Sequence, residues 1–257
     1  MRVSGFLLSL ISPIWHSKLS KEPKSLVLEG ISANSLHHLL ALACGAMSSI
    51  ELSLEELLEM LQTAASFDIA ALRTALEDAA SELLTADTCG RILKALGPAP
   101  LPPLGAGTRL TDACRELALC RFDAFAATPG FLDIDEDILW HLLAEEALTA
   151  RSEEAVFDAV VRWMTCGGQG SSIRGERLLG RVRFPLMARS FLAERARYRL
   201  PDCPRLEEAL REALAVKDAP TERRRASALS TLEPRTLTPR VQVRRAALSF
   251  SFGKSPR

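Results

Sequence analysis

The residues able to do chemistry are few and scattered. Four histidines are present: His16, His37, His38 and His141. His37 and His38 are neighbours, so on a helix their side chains point about 100° apart and cannot chelate one ion as an i, i+4 pair would. Six cysteines (Cys44, Cys89, Cys114, Cys120, Cys166, Cys203) lie far from one another without a CxxC, and none has zinc-ligand spacing to a histidine. Glu145-Glu146 and Glu153-Glu154 could pose as paired carboxylates, but such runs read as solvated helix faces or as first-turn charges favoured by the helix dipole. No GxSxG occurs. The glycine-rich run Cys166-Gly-Gly-Gln-Gly-Ser-Ser172 lacks the Lys-Ser/Thr that a phosphate loop needs. The expectation is a chain with no catalytic activity, metal or cofactor of its own.

The elements that would carry these residues are mostly helical. The chain has 257 residues, 47% apolar and only 5% aromatic, with a mean hydropathy of +0.08, so a core is expected. Leu54, Leu57, Leu58, Leu61 and Ala65 repeat at helical spacing, and Ile69, Leu72, Leu76, Ala79, Ala80 and Leu83 continue the stripe. Ser53 with Glu56 three residues on predicts a capping box at its start. A second helical block holds Ile138, Leu139, Leu142 and Leu143, then Val156, Val160 and Trp163; Trp163 falls on the apolar face with Val156, Ala159 and Val160 and is predicted to be buried. Ser25–Glu29 alone reads as a strand. Gly97–Gly105 carries four prolines and is a stiff loop whose PxxP spacing is expected to be incidental. Four cysteines sit in helix-like Ala/Leu stretches and are expected to be reduced, small hydrophobes. The apolar run Gly5–Trp15 is too short to span a bilayer, so neither a membrane partner nor a secretory signal is expected.

Charge is balanced overall, 32 against 32, but unevenly placed. Residues 217–257 hold ten Lys/Arg against three Asp/Glu, which leaves residues 1–216 with 22 against 29. An acidic body therefore precedes a basic tail, expected to have no fixed structure. Its Arg223–Arg225 and Arg244-Arg245 lack aromatic neighbours for base stacking, apart from Phe250 and Phe252, so no nucleic-acid partner is expected. Arg223-Arg-Arg-Ala-Ser227 makes Ser227 a candidate site for a basophilic kinase.

Residues 131–187 carry a specific resemblance. Phe131-Leu-Asp-Ile134, Leu139, Leu142-Leu143, Ala147-Leu148, Ser152-Glu153, Val156-Phe157, Val160, Trp163, Arg174, Leu178-Leu179 and Val182-Arg183-Phe184-Pro185-Leu186 follow one another as in the BACK domain, the helical module after BTB/POZ domains in BTB-Kelch proteins. Asp87–Cys89 with Ile92-Leu93 looks like its opening helix, and Leu110–Phe125 like the helix that follows. Upstream, Leu10–Trp15, Val27–Ile31, Leu39–Gly45, Leu57-Leu58 and Asp68–Leu72 resemble the later two-thirds of a BTB/POZ domain, whose opening strands and first helix have no counterpart after Met1. Kelch-type Gly-Gly repeats do not follow. The resemblance therefore implies a mainly α protein: an N-terminally truncated BTB/POZ (α/β) part at 1–86, a BACK helical-hairpin domain at 87–215 and a disordered basic tail at 216–257.

Such proteins mostly serve as substrate adaptors of cullin-RING ubiquitin ligases, in the cytoplasm or the nucleus. By resemblance, the cullin would meet Leu19 and Glu22, the Phe67-Asp68-Ile69 turn, and the opening BACK helices with Ile92 and Leu93. The family's hydrophobic-x-Glu motif is here Leu19-Ser-Lys-Glu22, one residue too long. The substrate protein is unidentified. The alternatives are a self-associating homodimeric scaffold without ligase role and a truncated fragment.

Overall fold

The computed structural model describes residues 5–21, 32–43, 45, 52–96, 107–166, 175–200 and 203–218. Twelve α-helices follow in chain order among them: α1 Gly5–Ile11, α2 Pro13–Lys21, α3 Ala33–Ala43, α4 Leu54–Ser66, α5 Ala70–Glu82, α6 Ala86–Ala95, α7 Arg109–Cys120, α8 Phe122–Ala127, α9 Glu136–Ala144, α10 Glu153–Thr165, α11 Arg189–Glu194 and α12 Pro204–Asp218. Short 3₁₀ turns at Gly130–Asp133, Glu176–Arg181, Phe184–Leu186 and Ala196–Tyr198 join the later ones. The fold is mainly α, and no β-strand occurs among the described residues. The strand expected at Ser25–Glu29, the proline loop and Ser227 lie outside the described residues.

The N-terminal helices are set by local chemistry. Ser53 caps α4: its hydroxyl accepts from the Glu56 amide while the Glu56 carboxylate takes the Ser53 amide at 3.2 Å, the predicted capping box. The apolar stripe from Leu54 to Leu83 is not one helix. It breaks at Phe67-Asp68, where Asp68 takes φ +51°, a left-handed conformation that Asp tolerates better than most residues. α5 then returns against α4, and Leu57, Met60, Leu61, Leu72 and Leu76 close a core with Trp15 and Leu39. Ser12 Oγ donates to the Phe67 carbonyl and pins the turn to the α1–α2 elbow.

The second half is built round aromatic packing. The helix expected from Leu110 to Phe125 is interrupted at Arg121 (φ −123°, ψ 40°), which separates α7 from α8 and sends Phe122 and Phe125 inward onto Phe131, edge to face at 6.2 and 5.4 Å. Trp163 is buried as its spacing predicts, and its Nε1 donates to the Ile134 carbonyl at 3.1 Å. Gly175 (φ +76°) starts the next 3₁₀ turn against that indole; a Cβ there would stand 2.7 Å from the Trp163 ring. α12 runs to Asp218, so residues 216–218, placed in the tail by composition, are helical.

Glu153 and Glu154 are first-turn charges of α10, as one of the two readings expects, and three of the four glutamates also hold a partner. Glu153 is buried and accepts the Arg183 amide at 2.8 Å, Glu154 accepts the Ala188 amide at 2.7 Å, and Glu145 pairs with buried Arg115. Inward carboxylates with backbone partners satisfy amides that the irregular 3₁₀ segments leave open. Of the cysteines, Cys89, Cys114 and Cys203 are buried while Cys120 and Cys166 are exposed. Cys89 and Cys114 abut across α6 and α7, with Cys89 Sγ donating to the Cys114 carbonyl at 3.4 Å. The neighbouring Cys89 thiol and burial push the Cys114 thiol far up, so it stays protonated.

Candidate partner-docking surface

Among the described residues no group of three or more His, Cys, Asp or Glu side chains is placed to hold a metal ion, and no helix is long and apolar enough to cross a membrane. His16 and His37 are exposed, and His38 faces Glu56 at 4.0 Å.

Leu19 is half-buried on α2 and leans over Gly5 of α1. Phe67 is half-buried at the end of α4, stacked at 45° against Trp15 (5.2 Å) with the Lys18 ammonium 5.4 Å above its ring. Asp68 is exposed beside it. Glu22 lies outside the described residues. The structure thus brings the Phe67-Asp68 turn against α2, and a hydrogen bond, a ring contact and a cation hold it there.

Three of the candidate contacts are corrected. Ile69, Ile92 and Leu93 are 1%, 0% and 1% exposed and belong to the core, and a side chain without surface cannot touch a partner. On α6, Ile92 and Leu93 share their stripe with buried Cys89, so the face open to a partner is the opposite one, with exposed Asp87 and Lys94. The two halves of the expected groove are also apart. Arg91 of α6 grips Glu55, in the first turn of α4, at 2.7 Å, whereas Phe67 caps its far end. Thirteen residues of helix separate those ends by ~20 Å. That guanidinium, through its hydrogen bond first, holds the Glu55 carboxyl below the usual carboxylate range.

Beside this region, Phe6 (71% exposed), Leu10 (67%) and Ile14 (37%) form an open apolar row at four-residue spacing along α1 and α2. Sequence spacing shows the row but not its exposure, because the same pattern serves a core.

The described residues form a bundle of short helices and 3₁₀ turns that buries Trp163 and its bond to the Ile134 carbonyl. Residues 106–197 match the family described as BACK, BTB And C-terminal Kelch. The chain is similar to Kelch-like protein 40 of mouse, 35% identical over 115 residues (43% of this chain, 18% of the relative), and to that of human, 28% identical over 224 residues (83% and 34%). It is also similar to Kelch-like protein 7 of rat, 37% identical over 67 residues (26% and 11%). Residues 106–197 are thus similar to a BACK domain, and the chain as a whole to Kelch-like proteins. The chain spans about a third or less of the length of these relatives.

Proposed function

We propose that the chain is a non-enzymatic adaptor that docks on the N-terminal helical repeat of a cullin and links it to a protein still to be identified. The observation that carries the reading is the Phe67-Asp68 turn. A strained non-glycine residue at φ +51°, anchored by Ser12 and flanked by Trp15 and Lys18, presents an aromatic and a carboxylate on a rigid base. Rigid presentation lowers the ordering cost of binding. The contact then continues over the outer face of α6, reaching Asp87 and Lys94, about a helix length away, so the partner must itself be elongated; a helical repeat is. Leu19, half-buried on α2, extends the surface at that end. No step of this function needs a catalytic group. A cytoplasmic or nuclear location agrees with the thiols being expected to be free.

The test is a pull-down of the cullin fragment by the whole chain and by Phe67→Asp and Asp68→Lys variants. Retention by the native chain and loss in both variants supports the adaptor reading; equal retention by all three removes the turn from the contact. A second reading, a self-associating scaffold, is favoured by the open Phe6–Leu10–Ile14 row. Native mass spectrometry separates the two, since a scaffold gives a dimer without any cullin.

A further inference from the structure

The stretch from Arg189 to Arg199 holds four arginines and one glutamate, on a body in which residues 1–216 carry 22 bases against 29 acids. Two of the four are committed: Arg189 to Asp218 at 2.7 Å and Arg199 to Asp158 at 2.8 Å. Arg195 and Arg197 are exposed and make no ion pair or ring contact among the described residues. Beside them stands Tyr198, the one tyrosine of the chain. It is 78% exposed, the most open of the large apolar side chains described. Glu194, exposed at the end of α11, is the one carboxylate within the stretch, and the two free guanidinium groups outnumber it.

These side chains stand on a fixed base. The Arg195 amide donates to the Phe191 carbonyl at 2.9 Å and the Arg199 amide to the Ala196 carbonyl at 3.2 Å. Leu192, Ala196 and Leu200 are buried beneath. Arg195 enters the Ala196–Tyr198 turn already helical (φ −113°, ψ −44°). In a 3₁₀ turn, side chains three residues apart lie over one another. With Ala196 turned inward, Arg195 and Tyr198 therefore share one outer side of the turn, and Arg197 stands on the next. The bond from Arg199 to Asp158 ties the end of the turn to α10.

We infer that the Arg195–Tyr198 turn is a docking point for an acidic segment of a partner protein. Asp or Glu side chains of that segment meet Arg195 and Arg197, and its backbone packs over the Tyr198 ring. Planar guanidinium forks pair carboxylates through two parallel bonds. Tyrosine and arginine are also the side chains on which interfaces concentrate their energy. A nucleic-acid strand needs several stacking rings along a basic groove, and one ring on an acidic body does not offer that. The body repels an acidic segment only over distances that salt shortens. At about 0.15 M ionic strength the screening length is about 8 Å, so guanidinium groups in direct contact outweigh it. The inference does not rest on the cullin reading, because no residue of the Phe67-Asp68 turn takes part.

Tyr198 reports on its own surface: a chain carrying ring-labelled tyrosine gives one tyrosine signal set in NMR, since no second tyrosine exists. Titration of the whole chain with hexaglutamate at about 0.1 M salt is expected to shift that signal to saturation. Hexalysine should leave it unmoved. The R195E/R197E variant changes exposed positions only, so it should keep its thermal midpoint. It should bind at least ~5-fold more weakly, and salt of about 0.5 M should do the same to the native chain. Arg195→Gln and Arg197→Gln singly should fall between the native chain and the double variant. No shift at millimolar hexaglutamate overturns the inference, as does equal affinity of the native and R195E/R197E chains. A signal that moves with protein concentration alone would assign the turn to a second copy. A tighter complex with a uridine hexanucleotide than with hexaglutamate would assign it to RNA. Either result also overturns the inference.

Discussion

Gly90 of α6 lies directly on the backbone of Gly130: a Cβ built on Gly90 would stand 3.1 Å from the Phe131 amide nitrogen and drive into the Gly130 carbonyl. Backbone meets backbone here, so α6 and the 3₁₀ turn before α9 approach as no side chain would permit. The obstacle is a carbonyl rather than the end of a flexible side chain, so it cannot step aside cheaply. Gly90→Ala is therefore expected to destabilise the fold by ~1–3 kcal/mol, although alanine is the better helix former. A thermal midpoint unchanged in Gly90→Ala would show that the contact yields.

Trp163 gives a second stability test. Its side chain is buried and its Nε1 reaches the Ile134 carbonyl. Trp163→Ala should cost ~3–5 kcal/mol. Trp163→Phe keeps much of the bulk and loses the bond, so it should cost less. Denaturant unfolding orders the three proteins; equal loss in both variants would put the whole effect in the hydrogen bond.

Glu153 should tolerate little. It is buried and accepts the Arg183 amide, so Glu153→Ala leaves a buried donor and a cavity, at ~1–3 kcal/mol. Denaturant titration reads the loss, and a midpoint like the native one would return Glu153 to the solvated class.

Acid should loosen the α3–α4 contact before the aromatic core. Ser35 first holds the Glu59 carboxyl below its ordinary value of 4.5, and Ser53 first does the same for Glu56. A carboxyl lowered in the folded state adds stability above its unfolded value and loses it as the pH falls through the folded one. Stability from these groups should thus be full above about 4.5 and decline below it. Glu59→Gln should remove part of the decline, read as a chemical-denaturation midpoint against pH; an unchanged pH profile in Glu59→Gln would contradict the assignment.

The helices that signal themselves by caps and period were legible in the sequence. The Ser53–Glu56 box, the α10 stripe and the burial of Trp163 are local patterns that tertiary packing reinforces. The breaks were not. Arg121 and Asp68 interrupt runs whose apolar period continues through them, and no glycine or proline stands at either position to mark the turn. The inward Glu153 was hidden for another reason: a charged residue reads as solvent-facing until a backbone amide is known to wait for it. Resemblance alone points Ile69, Ile92 and Leu93 to a surface, whereas Ile92 and Leu93 share the apolar stripe of Cys89, which reads as core first.

The most direct test of the adaptor reading is a calorimetric titration of a cullin's N-terminal helical repeat with the whole chain. The account predicts micromolar binding, about −8 kcal/mol, reduced at least tenfold (~1.4 kcal/mol) by Asp68→Lys at an unchanged thermal midpoint. No heat of binding at high cullin concentration, or equal affinity for the native and Asp68→Lys chains, would contradict it.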